Sequence, residues 1–173
     1  MAEQIPGRGV VIVASTRAAR GVYRDETGPR LASWLEGRGL EVGEPRVVAD
    51  RDVAAAVAEA LAPPRPRVLI TTGGTGIGPE DQTVEAVYPH LERELPGIVQ
   101  ELIRRGVEHG PASAVLTRGG AGPGGDTFVA TLPGSPGAVE DGIAVIDPIL
   151  GHLVGQARGG ENHANHGSHG NHG

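Results

Sequence analysis

Five residues, Thr72-Gly73-Gly74-Thr75-Gly76, close the apolar run that begins at Val68. A glycine-rich turn after a strand presents closely spaced backbone N–H groups unhindered by side chains, which suits phosphate oxygens. Gly-Gly-Thr-Gly equally suits a tight turn that needs positive φ, and the motif alone does not separate the two. Asp81 stands five residues on, within Glu80-Asp81-Gln82-Thr83. It fits a helix N-cap and a magnesium ligand, and the roles are compatible, because Mg²⁺ takes only one or two carboxylates beside substrate phosphates. Asp50, at the end of Glu41 to Val48, carries the same two readings, with Asp52 competing for the cap. Arg17 follows Ser15-Thr16 and either clamps a phosphate bidentately or lies solvated on the surface. Asp25 precedes a helix and reads as its cap. Another polar turn, Pro133-Gly134-Ser135-Pro136, follows Thr127 to Leu132. Phosphate binding assisted by a divalent cation is the chemistry these residues suit.

The elements that must position them follow from periodicity. Gly9 to Ala14, Glu41 to Val48 and Val68 to Thr72 are short apolar runs rich in β-branched residues and read as strands. Between them, Leu31, Trp34 and Leu35 have helical spacing with Gly39 as the C-cap, and an alanine-rich helix runs from Asp50 or Asp52 to about Ala62, where Pro63-Pro64 stops it. Helices are predicted over Thr83–Leu91, Ile98–Arg105 and Pro136–Gln156. Ala114 to Thr117 and Thr127 to Leu132 read as two further strands. The glycine-rich Arg118–Asp126 between them is too short for a parallel crossover, so they pair antiparallel. The alternation predicts an α/β fold: a mostly parallel sheet with one antiparallel strand between two helical layers. In such sheets ligands bind outside the carboxyl ends of the parallel strands, so Ser15-Thr16-Arg17, Thr72–Gly76 and Pro133–Pro136 converge there, with Thr117 folded back toward Thr131.

Composition narrows the chemistry further. All 15 basic residues are Arg and Cys is absent, which excludes lysine bases, Schiff-base chemistry, thiolate catalysis, Cys-based zinc sites and disulfides. Net charge is −6 with no basic block, and aromatics are 2%, which argues against nucleic acid and anionic membranes as partners. No apolar stretch approaches spanning length and MAEQIPGRG has no signal-peptide pattern, so the expectation is a soluble, cytoplasmic protein. Residues 1–158 form one domain. Residues 159–173, rich in Gly, Asn and His with His163, His166, His169 and His172 at three-residue spacing, read as a disordered tail. His90, His109 and His152 read as surface or packing residues.

Together, ASTRAARGVYRDETGP, VVAD ending at Asp50, TTGGTGIGPEDQT, LTRGGAG and LPGSPGAVEDGI resemble the molybdopterin adenylyltransferase (MoaB/Mog) family of molybdenum cofactor biosynthesis. The resemblance spans about Val10 to Leu153, and gephyrin-type proteins contain the same domain. It implies a three-layer α/β/α fold, a homotrimer or a hexamer of trimers, and Mg²⁺-dependent transfer of AMP from ATP to the terminal phosphate of molybdopterin. A downstream molybdenum-insertion protein is an implied partner. Asp50 and Asp81 match the family's acidic positions, catalytic and metal-holding. Thr72, Gly73, Gly74, Thr75 and Gly76 match its nucleotide loop, Thr117-Arg118 its pterin-side serine-arginine, and Ser15, Arg17, Thr131, Pro133, Gly134 and Ser135 complete the binding set. Thr117 stands where the family has Ser, Thr131 where it often has Asn, and Gln100 where it has Glu, with Glu101 next. These departures keep a pterin-binding protein without transfer activity as the alternative.

Overall fold

A computed structural model describes residues 2–159; the His-rich tail lies outside the described residues. Six strands form one sheet: β1 (Arg8–Ala14), β2 (Glu41–Val42), β3 (Arg46–Val48), β4 (Val68–Thr72), β5 (Ala121–Gly124) and β6 (Thr127–Leu132). Its order is β2-β1-β4-β6-β5, with β3 also pairing β1. Every pairing is parallel except β5–β6. Alternation along β1 divides the core: Val11 and Val13 face one side, Ile12 and Ala14 the other.

The first side is covered by α2 (Thr27–Gly37), α5 (Pro96–His109), α6 (Pro136–Ile146) and α7 (Leu150–Ala157), whose Leu31, Leu35, Ile143, Ile146 and Leu150 pack on Ile70, Phe128 and Leu132. On the second side α3 (Val53–Ala60) and α4 (Thr83–Val87) bring Val53, Val57 and Val87 against Ile12, Leu69 and Val129. A short α1 (Thr16–Ala19) leaves β1 directly. The layers and the antiparallel edge are those the sequence predicts.

Several boundaries differ, each for a local reason. The strand expected at Ala114–Thr117 is a 3₁₀ stretch, Ala112–Leu116, and the partner of β6 is instead β5, inside the glycine-rich segment. Its Pro123 is tolerated because this is an edge strand. Gly122 is required by close approach, since a Cβ there would lie 1.9 Å from the Arg93 carbonyl oxygen. The covering segment bonds to that edge through Glu92 N–H to Pro123 O (2.9 Å) and Leu95 N–H to Ala121 O (2.8 Å). The strand expected at Glu41–Val48 is broken at Pro45 into β2 and β3. The last helix is interrupted by a 3₁₀ turn, Asp147–Ile149, at Pro148. The helix from Thr83 becomes 3₁₀ at Pro89, in keeping with the ring's clash with a preceding turn.

Candidate functional site

Register places three loops side by side. Val13 pairs with Thr72 and Thr72 with Leu132, so the chains leaving β1, β4 and β6 emerge together at one sheet edge. Gly73 takes φ +88° and bonds through its N–H to Leu132 O at 2.9 Å. Thr72 Oγ1 donates to Pro133 O at 2.9 Å, and the backbones of Gly73 and Gly134 lie against each other. Ser135 caps α6, its Oγ accepting from Ala138 N–H at 3.1 Å.

The loop is held from several sides. Thr83 N–H bonds to Gly74 O at 3.1 Å, and Arg118 N–H to Thr75 O at 2.8 Å. Thr117 Oγ1 donates to Thr75 Oγ1 at 3.0 Å. The Arg118 guanidinium donates to Gly76 O (2.8 Å) and Asp81 O (3.2 Å) and pairs with Glu85. That hydrogen bond raises Arg118 above its ordinary value and holds the Glu85 carboxyl below the usual carboxylate range.

The two acidic candidates flank the same loop. Asp50 Oδ2 accepts from Thr16 Oγ1 (2.6 Å) and Thr16 N–H (3.2 Å), while its Oδ1 lies 3.4 Å from where a Cβ on Gly74 would stand. Asp81 Oδ2 accepts from Gly78 N–H at 2.9 Å and lies against Gly76. One oxygen of each carboxylate is thus engaged in the fold. Oδ1 of each makes no hydrogen bond among the described residues. No group of three or more His, Cys, Asp or Glu is arranged for a metal among those residues.

Two clefts open at this edge and share Gly73 and Gly134. The larger, about 700 Å³, runs from Gly73–Gly76, Asp81, Thr117, Pro133 and Ser135 to a wall formed by α5 and α6. The smaller, about 420 Å³, is lined by Ser15, Arg17, Tyr23, Arg24 and Thr72. Ser15 Oγ and Tyr23 Oη share a hydrogen bond of 2.8 Å, and Arg17 lies 5.6 Å from the centre of the exposed Tyr23 ring. Asp25 caps α2 through Thr27 and Gly28 N–H groups, as expected.

Two candidates stand apart from the clefts. Asp50 lines neither and sits beneath Gly74. Thr131 is 1% exposed, and its hydroxyl accepts from Gly120 N–H (2.6 Å) and donates to Gly120 O (3.1 Å), so it shapes the turn behind Thr117. Gln100 and Glu101 also lie off the cleft, Glu101 paired with Arg104. Sequence reasoning missed the far wall, where His109, Glu140 and Asp141 line the larger cleft. It read His109 as a surface or packing residue, and no local motif marks the other two.

An open α/β sheet with a glycine-rich loop at its carboxyl edge, two carboxylates beside that loop and paired clefts across it has the architecture of a small-ligand-binding domain. Comparison gives the particular family: the chain belongs to the one described as "Probable molybdopterin binding domain", whose model matches residues 10–152. It is 35% identical over 158 residues to a molybdenum cofactor biosynthesis bifunctional protein of Chlorobaculum tepidum, covering 91% of this chain and 50% of that one. It is 34% identical over 154 residues to a molybdopterin adenylyltransferase of Pyrococcus furiosus, covering 86% and 89%. The solved Mog protein of Mycobacterium ulcerans superposes with a TM-score of 0.80 at 41% identity, covering 87% of this chain and 98% of that one. The chain spans about half the length of the first curated relatives it matches. No helix among the described residues is long and apolar enough to cross a membrane.

Proposed function

We propose that the chain transfers AMP from ATP to the terminal phosphate of molybdopterin in molybdenum cofactor biosynthesis, releasing pyrophosphate. The observation that carries the reading is the pair of clefts meeting at Gly73 and Gly134, which offers two phosphorylated substrates one shared wall. The name of the Pyrococcus relative, matched over 89% of its length, supports the choice of reaction.

In this reaction a terminal phosphate oxygen of the pterin attacks the α-phosphorus of ATP. The bond from that phosphorus to the bridging oxygen of the β-phosphate breaks, and the pair leaves with pyrophosphate. The nucleophile belongs to the substrate, so a chain without Lys or Cys suffices. Catalysis then rests on positioning and charge. Gly73–Gly76 would present N–H groups to phosphate oxygens, Ser135 and the α6 N-terminus would hold the pterin phosphate, and Arg17 would stand beside the nucleotide phosphates. Thr117 would keep Thr75 in place.

Asp50 and Asp81 would hold Mg²⁺ or its waters. Their unengaged Oδ1 atoms are hard donors of the kind it prefers, and two carboxylates match its habit of completing its shell with phosphate and water. Bound Mg²⁺ would neutralise charge building on the phosphates. A homotrimer or hexamer, a molybdenum-insertion protein as partner and a cytoplasmic location belong to the same reading.

Purified protein with ATP, Mg²⁺ and molybdopterin is expected to yield pyrophosphate and adenylylated pterin, both dependent on Mg²⁺. Pterin binding without either product, beside an active relative, would replace the reading with that of a binding protein. Light scattering should give three or six times the chain mass; a monomer would remove the assembly from the proposal.

A further inference from the structure

The larger cleft has polar, apolar and acidic lining. Ser135 and the glycine loop line one side, Leu102, Gly106, Pro111 and Leu116 add apolar lining, and Asp141 lies on the α5–α6 wall. From Ser135 to Asp141 the α6 axis advances about 9 Å at 1.5 Å per residue. A phosphorylated fused-ring ligand anchored at Ser135 and lying along α6 would bring the remote edge of its ring to Asp141.

The carboxylates on the walls are not equivalent. Glu140 is half-exposed, and Arg30 takes both its oxygens at 2.6 and 3.2 Å. Asp81 is at the loop end. Asp141 has a side chain only 14% exposed, yet it makes no hydrogen bond among the described residues. Arg105 Nε stands 3.4 Å and His109 Nδ1 3.8 Å from its Oδ1, beyond hydrogen-bonding geometry, so its lone pairs stay available. Arg105 Nε is itself buried without a hydrogen-bond partner. A sheltered carboxylate with free lone pairs, facing an apolar slot, is a receptor for adjacent N–H donors on a flat ring.

We propose that Asp141 is the specificity-determining residue for the ring. It accepts from the exocyclic 2-amino group and the neighbouring ring N–H of a 2-amino-4-oxopyrimidine, with Arg105 and His109 positioning the carboxylate. The inference rests on reading this cleft as the pterin site and deepens it. Guanine carries the same donor edge, so the test must separate the two sources.

The experiment compares 6-hydroxymethylpterin phosphate with 6-hydroxymethyllumazine phosphate, in which oxygen replaces the 2-amino group, and with GMP, by calorimetry on the full chain. A lost hydrogen bond to a charged group corresponds to roughly tenfold to a hundredfold in affinity, so the pterin should outbind the lumazine by that factor. Asp141→Asn should weaken the pterin by a similar factor and bring the ratio close to one, with an unchanged circular dichroism spectrum. Should that variant fold poorly, the ratio in the unaltered protein still decides. Equal binding of pterin and lumazine overturns the role of Asp141 and leaves the pterin reading standing. Tight GMP binding with the pterin ignored assigns the edge to a guanine nucleotide and overturns the proposal. Binding of neither ring overturns the pterin reading and the proposal with it.

Discussion

Gly73→Ala tests the loop on which the site depends. Gly73 has φ +88°, and a Cβ built on it would lie 2.2 Å from the carbonyl oxygen of Ala14. That atom cannot retreat easily, because Ala14 pairs with Val48 in the sheet and Ser15 N–H is bonded to Val48 O at 2.9 Å. Left-handed backbone costs a non-glycine residue about 1–2 kcal/mol, and forcing a methyl into packed structure about 1–3 more, so a loss of roughly 2–5 kcal/mol is expected. For a chain of this size that lowers the melting temperature by about 4–20 °C. Urea unfolding followed by circular dichroism gives the free energy, and calorimetry with 6-hydroxymethylpterin phosphate gives binding. Both should fall, because relieving the contact displaces Gly73 from β1 and distorts the wall that it shares with Gly134. Gly37→Ala is the control: nothing lies within 4 Å of a Cβ there, and the position is helical, so stability should hold or rise by about 0.4–1 kcal/mol. A Gly73→Ala protein within about 0.5 kcal/mol of the parent, with binding intact, would refute the loop conformation.

Asp81→Asn retains an oxygen to accept from Gly78 N–H but removes the charge, so AMP transfer should fall by at least roughly a hundredfold while melting and pterin binding stay. A fully active variant would take Asp81 out of the reaction. Arg118→Met should leave the core intact but free the carbonyls of Gly76 and Asp81; faster amide exchange across 73–83 is expected, and unchanged protection would show that the clamp is dispensable. A hydrogen bond from Trp34 Nε1 (2.8 Å), then one from Arg38, holds the Asp147 carboxyl below its ordinary value. A depressed carboxylate contributes stability above its unfolded value, about 3.9, and that contribution disappears as pH falls through the lower folded value. Urea midpoints at pH 7 and pH 3 should therefore differ less in Trp34→Phe than in the parent, and an equal drop in both would remove this network from the acid limb.

The parallel strands and the convergence of their loops were legible because a buried strand writes itself as a continuous run of Val, Ile and Leu, and parallel register fixes where its end falls. β5 was illegible for the converse reason. Its AGPG has almost no strand propensity and is held as a strand by β6 and by the backbone of Glu92 and Leu95 on its other side. Asp50 and Thr131 show the limit at the level of single residues. Sequence brings both to the correct edge, but only three-dimensional packing decides whether a side chain enters a cleft or goes under it. Thr131 faces Gly120 because β6 pairs there with β5, the strand sequence reasoning had displaced.

The far wall of the larger cleft lies beyond local pattern altogether. His109 ends α5, while Asp141 lies within α6, more than thirty residues later, and the segment between them includes two strands. Their approach depends on how α5 crosses α6 over the sheet, a packing geometry that leaves no signature at either residue. The polarity of the cleft nevertheless follows from the same register that sequence exposed. On the proposed reading, in which the glycine loop and the α6 N-terminus hold the substrate phosphate, the direction of α6 determines which residues lie one ring-length away. A substrate phosphate bound at the α5–α6 wall would reverse that order and turn its ring toward the glycine loop and Ser135. Asp141 could then play no part in ring recognition, so the comparison of pterin with lumazine also tests the direction in which the cleft is read.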